Sequence, residues 1–203
     1  MSKVTKIKFM WQTNIPAIDI IKHWTKVPLG DIHGHLILGK PPKETTKLLL
    51  EFVKENSDFA YNSGSKMTGW KLYQFFCDNG SKNIILDNAE WIWRNMDAIG
   101  VMRGITEHKP ITSAQWNMAR TYSLKSKERE LVVFNRVGVS KALKTHKRYP
   151  GEIRFSNHVF VVAESIPKRA SSYLNGLINS RMYPFIVEEG EKINDTMLCG
   201  QTG

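Results

Sequence analysis

The sequence predicts an α/β fold in three layers, a mostly parallel sheet covered by helices on both faces. Three short runs, residues 35–38, 83–87 and 158–163, are apolar almost throughout rather than alternating. Strands buried on both faces read this way. Segments with helical spacing separate the runs, so the order is strand, loop, helix, repeated, as in parallel sheets with helical crossovers. The chain has 203 residues, 41% apolar and 24% charged. That is globular composition, with enough length to bury a core without staples.

Residues 1–29 read as an N-terminal lead-in segment and residues 30–203 as one domain. The first eleven residues carry three lysines but no long apolar run and no small-residue cleavage site, so no secretory signal is expected. No apolar stretch approaches the ~20 residues needed to cross a bilayer. Within residues 16–26, Ile18, Ile20, Ile21 and Trp24 have the spacing of a small amphipathic helix, stopped by Pro28 and Gly30. Residues 35–38 form a buried strand closed by Gly39, and a loop leads to a helix over 45–56 with Leu48, Leu49, Phe52 and Val53 on one side. A second helix is expected over 70–77, a strand ending in an acid over 83–87, and a helix over 91–103. After a basic, poorly periodic stretch with a strand-like run at 130–134 come the third strand at 158–163, a helix at 171–180 and a last strand at 183–187. The two cysteines, Cys77 and Cys199, are too few for a disulfide framework or a four-ligand zinc site. They read as reduced thiols of a cytoplasmic protein.

In folds of this class ligands sit outside the carboxyl ends of the strands. The first strand runs out into Gly39, Lys40, Pro41, Pro42, Lys43, Glu44, Thr45 and Thr46. A P-loop is Gly-x-x-x-x-Gly-Lys-Ser/Thr between a strand and a helix, cradling phosphates with its backbone N–H groups and placing its hydroxyl on Mg2+. In that register Gly39 is the first glycine and Thr46 the hydroxyl, while Glu44 stands for the second glycine and Thr45 for the lysine. The second strand ends in Asp87, the place of a Walker B acid that helps hold Mg2+. Asn88 stands where a water-polarising glutamate would follow, and the nearest acid is Glu90. The third strand ends in Glu164 and Ser165, and Arg181 closes the helix before the last strand.

Together, residues 36–50, 83–93, 104–110 and 155–187 resemble a degenerate AAA+ P-loop NTPase core of the phage, plasmid or mobile-element type. The resemblance spans roughly residues 30–190 and rests on the order and spacing of motifs. It implies ATP and Mg2+ as cofactors, with Gly39 to Thr46 cradling the nucleotide and Asp87 and Thr46 serving the metal. It also implies catalytic positions at Asp87, Asn88, Glu164 and Arg181, the arginine reaching a neighbouring subunit in a homo- or hetero-oligomer. Family members carry a helical lid after the core. The chain ends at Gly203, so no lid is expected. The departures point to a pseudo-ATPase. Thr45 removes a charge-assisted phosphate contact worth ~1.5–3 kcal/mol, and Glu44 sets a carboxylate beside phosphates that it repels.

The net charge of +10 favours an anionic partner. Most of it lies in residues 120–148, where Arg120, Lys125, Lys127, Arg129, Arg136, Lys141, Lys144, Lys147 and Arg148 oppose only Glu128 and Glu130, a local net of +7. Tyr122, His146 and Tyr149 are interspersed. Cationic side chains bind phosphates without sequence preference and aromatics stack on unpaired bases, so a nucleic acid is expected here, DNA more than RNA. An accessory role in viral or mobile-element DNA replication fits both features, with an active ATPase or helicase-like motor as the alternative. A weaker alternative is a metal-dependent phosphoesterase. Gly30-Asp31-Ile32-His33-Gly34 and Asn157-His158 resemble two motifs of the calcineurin-like family, but no apolar strand precedes Asp31 and the intermediate motif is missing.

Overall fold

The computed structural model describes residues 11–28, 33–39, 43–63, 67–107, 112–115, 152–167 and 171–187. Among the described residues the strands are β1 (Trp11–Thr13), β2 (Gly34–Leu38), β3 (Phe59–Ser63), β4 (Asn83–Asp87), β5 (Thr112–Gln115), β6 (Glu152–Phe155), β7 (Val159–Ala163) and β8 (Met182–Val187). The α-helices among the described residues are α1 (Ala17–Trp24), α2 (Lys43–Glu55), α3 (Gly69–Asp78), α4 (Met96–Ile105) and α5 (Ser172–Arg181). Six strands form one sheet in the order β1-β8-β2-β7-β4-β3, every pairing parallel.

Strand alternation divides the core between the two faces. Leu36, Leu86 and Val161 pack with Leu72 and Phe76 of α3, Ile99 and Met102 of α4, and Leu177 of α5. Ile37, Ile85, Phe160 and Val162 pack with Ile20 and Ile21 of α1 and Leu49 of α2. Successive side chains point to opposite faces, and both faces are covered, so the central strands are continuously apolar. The expected three-layer α/β arrangement is therefore present. No helix among the described residues is long and apolar enough to cross a membrane.

Three helices start at side-chain caps. Thr68 accepts from the Lys71 amide at 3.2 Å, Asn95 from Ala98 at 3.1 Å and Ser171 from Leu174 at 3.2 Å. Asn95 also accounts for a difference from the sequence reading. The helix expected over 91–103 is a 3-10 turn, Ala89–Arg94, followed by α4. Asn95 takes extended backbone angles, φ −121° and ψ 104°, so that its side chain can cap the second piece. Residues 11–24, in the lead-in segment, add the edge strand β1 beside β8 and the core-packing helix α1.

Two features were not foreseen. The edge strand β3 pairs with β4 from Phe59↔Asn83 to Ser63↔Asp87. Its polar end, Asn62-Ser63, hides it from an apolar-run criterion. β5 and β6 form a separate antiparallel ribbon, Thr112↔Phe155 to Gln115↔Glu152. Phe155 anchors this ribbon on the α3 side of the core, its ring centroid 5.5 Å from that of Phe76. The strand-like run at 130–134 lies outside the described residues.

Candidate functional site

Parallel strands bring the ends of β2, β3, β4 and β7 to one edge of the sheet. Gly39 closes β2 where the chain passes close under β8. A Cβ at this position would sit 2.5 Å from the Val187 carbonyl oxygen, at a φ of +155° that side chains rarely adopt. Its N–H donates to the Ala163 carbonyl at 3.2 Å, which ties the turn to β7. Lys40, Pro41 and Pro42 lie outside the described residues, as do the side chains of Lys43 and Glu44.

Thr45, in the register of the P-loop lysine, is buried. Thr46 Oγ1 donates to Asp87 Oδ2 at 2.8 Å, across 41 residues of sequence. The structure thus joins the two residues the sequence assigned to a metal. Lys47 does not turn toward them. It is largely exposed and stands 3.9 Å from Glu51, one helical turn on.

Asp87 is 1% exposed, so its carboxylate needs donors. Besides Thr46 it has two. The Asn88 amide donates to Oδ1 at 2.9 Å, and the Tyr61 hydroxyl donates to Oδ2 at 2.7 Å. Tyr61 comes from β3, the strand that sequence reasoning missed. The register that sets Ser63 opposite Asp87 places Tyr61 one turn of the pleat back on the same face. Burial, and then the Asp87 carboxylate, push the Tyr61 phenol far above its ordinary pKa. Asn88 is exposed and takes the left-handed conformation, φ 51° and ψ 48°, which asparagine tolerates better than most residues. It starts the 3-10 turn.

That turn brings Glu90 to the end of β7, where its Oε1 accepts the Glu164 amide at 2.5 Å. One turn on, Trp93 Nε1 donates to the Ser165 carbonyl at 3.0 Å. Glu164 enters the site region by its backbone, and its residue is exposed. Arg181 is placed elsewhere. It immediately precedes β8, whose Met182 pairs with Gly34 at the start of β2, so it lies at the opposite end of the sheet from Gly39. There its Nη1 donates to the Arg103 carbonyl at 3.2 Å and pairs with Glu107 at 3.3 Å. Within one chain, Arg181 is therefore not brought to Thr46 and Asp87.

All nine cations of the basic stretch, from Arg120 to Arg148, lie outside the described residues. The chain on either side of it is clasped by the Gln115↔Glu152 pair of the β5–β6 ribbon.

Asp31, of the phosphoesterase-like motif, also lies outside the described residues. His33 is fully buried, with Nδ1 3.2 Å from the Asn157 carbonyl. The Asn157 amide donates away from it, to the Gly80 carbonyl at 2.9 Å. His35 Nε2 and His158 Nδ1 are 3.0 Å apart. One of these two nitrogens carries a proton and donates to the other. The other ring nitrogen of His35, Nδ1, is buried without a hydrogen-bond partner. Burial foremost, then the charges of His158 and His33, hold His35 well below the usual histidine pKa; burial also lowers His158. These rings stand at the amino ends of β2 and β7, away from the strand-end site. Among the described residues, no group of three or more His, Cys, Asp or Glu could hold a metal ion. No family model, curated protein or solved structure matches this chain.

Proposed function

We propose that the chain is a degenerate AAA+-like nucleotide-binding or pseudo-ATPase domain. It works with nucleic acid, DNA more than RNA, as an accessory protein in viral or mobile-element DNA replication. The observation that carries the nucleotide reading is the 2.8 Å bond from Thr46 to Asp87. P-loop proteins hold Mg2+ with a P-loop Ser/Thr and a strand-end Asp, and both oxygens stand at the carboxyl edge of a parallel sheet, where α/β folds bind ligands. The donor set fits the ion. Mg2+ takes one or two protein oxygens and completes its shell with water and substrate phosphates.

Thr46 and Asp87 would hold the metal, and the backbone from Gly39 to Thr46 would hold the phosphates. A bound magnesium nucleotide would supply a phosphoanhydride that a positioned water could attack. The chain is poorly equipped for that attack. Thr45 is buried where a lysine would neutralise charge, and an exposed Asn88 stands where a glutamate would polarise water. Binding without turnover is the outcome these residues favour. One observation supports an active ATPase as the second reading: Glu90, fixed at the end of β7 through the Glu164 amide, offers a carboxylate by another route. The nucleic-acid part rests on the +7 charge of residues 120–148.

Calorimetry of ATP and ADP with Mg2+, on the wild type and on Asp87→Ala, tests the reading. Micromolar binding that Asp87→Ala weakens is expected. No binding at millimolar nucleotide would refute it. DNA-stimulated phosphate release, lost in Glu90→Gln, would move the assignment to the active enzyme.

A further inference from the structure

We propose that Arg103 and Tyr173, on the seam between α4 and α5, form a binding site for an unpaired nucleotide of single-stranded DNA, Tyr173 stacking its base and Arg103 holding its phosphate. This rests on the nucleic-acid part of the reading above and gives it a place on the described fold. The two helices pack against one another. Arg103, in the last turn of α4, reaches across to Tyr173 in the first turn of α5. Its guanidinium carbon lies 5.0 Å from the centre of the tyrosine ring.

Gly176, one helical turn after Tyr173, shows how the guanidinium lies. A Cβ at this glycine would stand 3.8 Å from Arg103 Cζ and 3.9 Å from each Nη. Three nearly equal distances mean that the flat face of the group is turned to α5. The N–H donors of a guanidinium lie in its plane, so here they run along the surface rather than into it. That edge matches the oxygens of a phosphate.

A second arginine on the same seam is spent differently. Arg181 pairs with Glu107 at 3.3 Å and donates to the Arg103 carbonyl at 3.2 Å. Among the described residues no carboxylate pairs with Arg103, which leaves its charge to a ligand. Tyr173 is open in the same sense. It and Trp11 are the exposed aromatics among the described residues, and Tyr173 is 47% exposed. The guanidinium covers one face of its ring, and among the described residues no second aromatic ring packs on it.

An aromatic face beside a free guanidinium fits an unpaired base and its phosphate. Stacking on the ring tolerates any base, and the arginine adds a cation–π contribution and a charge. A duplex keeps its bases stacked on one another and would use the arginine alone. An acidic peptide would likewise leave the ring idle. The net charge of +10 draws a polyanion to the chain. α4 also packs against β5, so the platform shares a helix with the ribbon that flanks the basic stretch.

The experiment is fluorescence anisotropy with a labelled oligothymidylate and a labelled duplex, titrated with the wild type, Tyr173→Leu and Arg103→Gln over a series of salt concentrations. Tyr173→Leu should weaken oligothymidylate binding roughly tenfold, within the range of one base–aromatic stack, and leave duplex binding unchanged. Arg103→Gln should weaken it as well and make its logarithmic salt dependence shallower by about 0.7, the share of one single-strand phosphate. Unchanged oligothymidylate binding by Tyr173→Leu, an equal loss on duplex and single strand, or an unchanged salt slope in Arg103→Gln overturns the platform and leaves the nucleic-acid reading standing. Absence of DNA binding by the wild type overturns both. Tyr173 is exposed and Arg103 partly so, and thermal melting checks that each variant folds. Should Tyr173→Leu fail to fold, Arg103→Gln decides: weaker binding with a shallower slope upholds the platform, and an unchanged slope overturns it.

Discussion

Acidification from pH 7.5 to 5.5 should destabilise this chain through His35 and His158, well before its carboxylates protonate. Both rings are buried, and both pKa values are lowered from the ordinary 6.5, His35 the further. The folded state therefore keeps the rings neutral while the unfolded chain takes up protons below about pH 6.5. The unfolded state binds more protons, so stability falls as the pH falls. His35 sets the magnitude. Its Nδ1 is buried without a partner, so a proton there would be a donor with nothing to accept it. For a ring that stays neutral throughout, one pH unit below the unfolded value costs about 1.4 kcal/mol. His158 adds to that figure. In a chain of this size 1.4 kcal/mol lowers Tm by about 3–6 °C. The assay is thermal or urea unfolding at pH 7.5, 6.5 and 5.5, on the wild type and on His35→Phe. Phenylalanine keeps the stack on Phe160, whose ring centroid is 4.8 Å away, and removes the titrating nitrogen. Its loss over the same range should be at most about half that of the wild type. A wild-type stability flat between pH 7.5 and 5.5, or an equal loss in both proteins, would refute the reasoning.

Two further perturbations test the scaffold around the site. Gly39→Ala drives a methyl group against the Val187 carbonyl, backbone against backbone, and should cost about 1–3 kcal/mol of stability by chemical denaturation, in the range of other strained backbone positions. Asn95→Ala removes the cap that separates the 3-10 turn from α4 and should cost about 1 kcal/mol, read as a Tm lower by about 2–4 °C.

The sequence made the sheet legible wherever a strand is buried on both faces. Residues 83–87 and 158–163 could be read from apolar content alone because β4 and β7 lie at the centre. The edge strand β3 escaped because one of its neighbours is solvent, so Asn62 and Ser63 carry no apolar signature. That loss reached the site. Thr46 and Asp87 were found from motif spacing, but Tyr61, which touches the same oxygen, belongs to no motif and becomes visible only through the Ser63↔Asp87 register. Glu90 was noticed merely as the nearest acid. The route by which a 3-10 turn carries it to β7 depends on the left-handed backbone of Asn88, which local sequence does not dictate. Arg181 shows the converse. Its position before the last strand was legible, but parallel topology puts that position at the far end of the sheet.

The two ends of the sheet solve the problem of buried polar groups in opposite ways, and the contrast bears on function. At the amino end, His35 and His158 are held in the neutral form, and one nitrogen is left without a partner. Packing alone accounts for such a pair, stacked among Trp24 and Phe160. At the carboxyl end, Asp87 gathers three donors from three separate segments: the start of α2, β3 and its own following residue. An apolar residue would fill the place with less demand on its surroundings, because a buried carboxylate is costly unless every lone pair is met. Under the proposed reading, the acid and the hydroxyl that the β2–α2 connection sets beside it both have a ligand to serve. The calorimetric comparison of Asp87→Ala with the wild type asks that question directly: a purely structural acid would leave nucleotide and Mg2+ without effect in both.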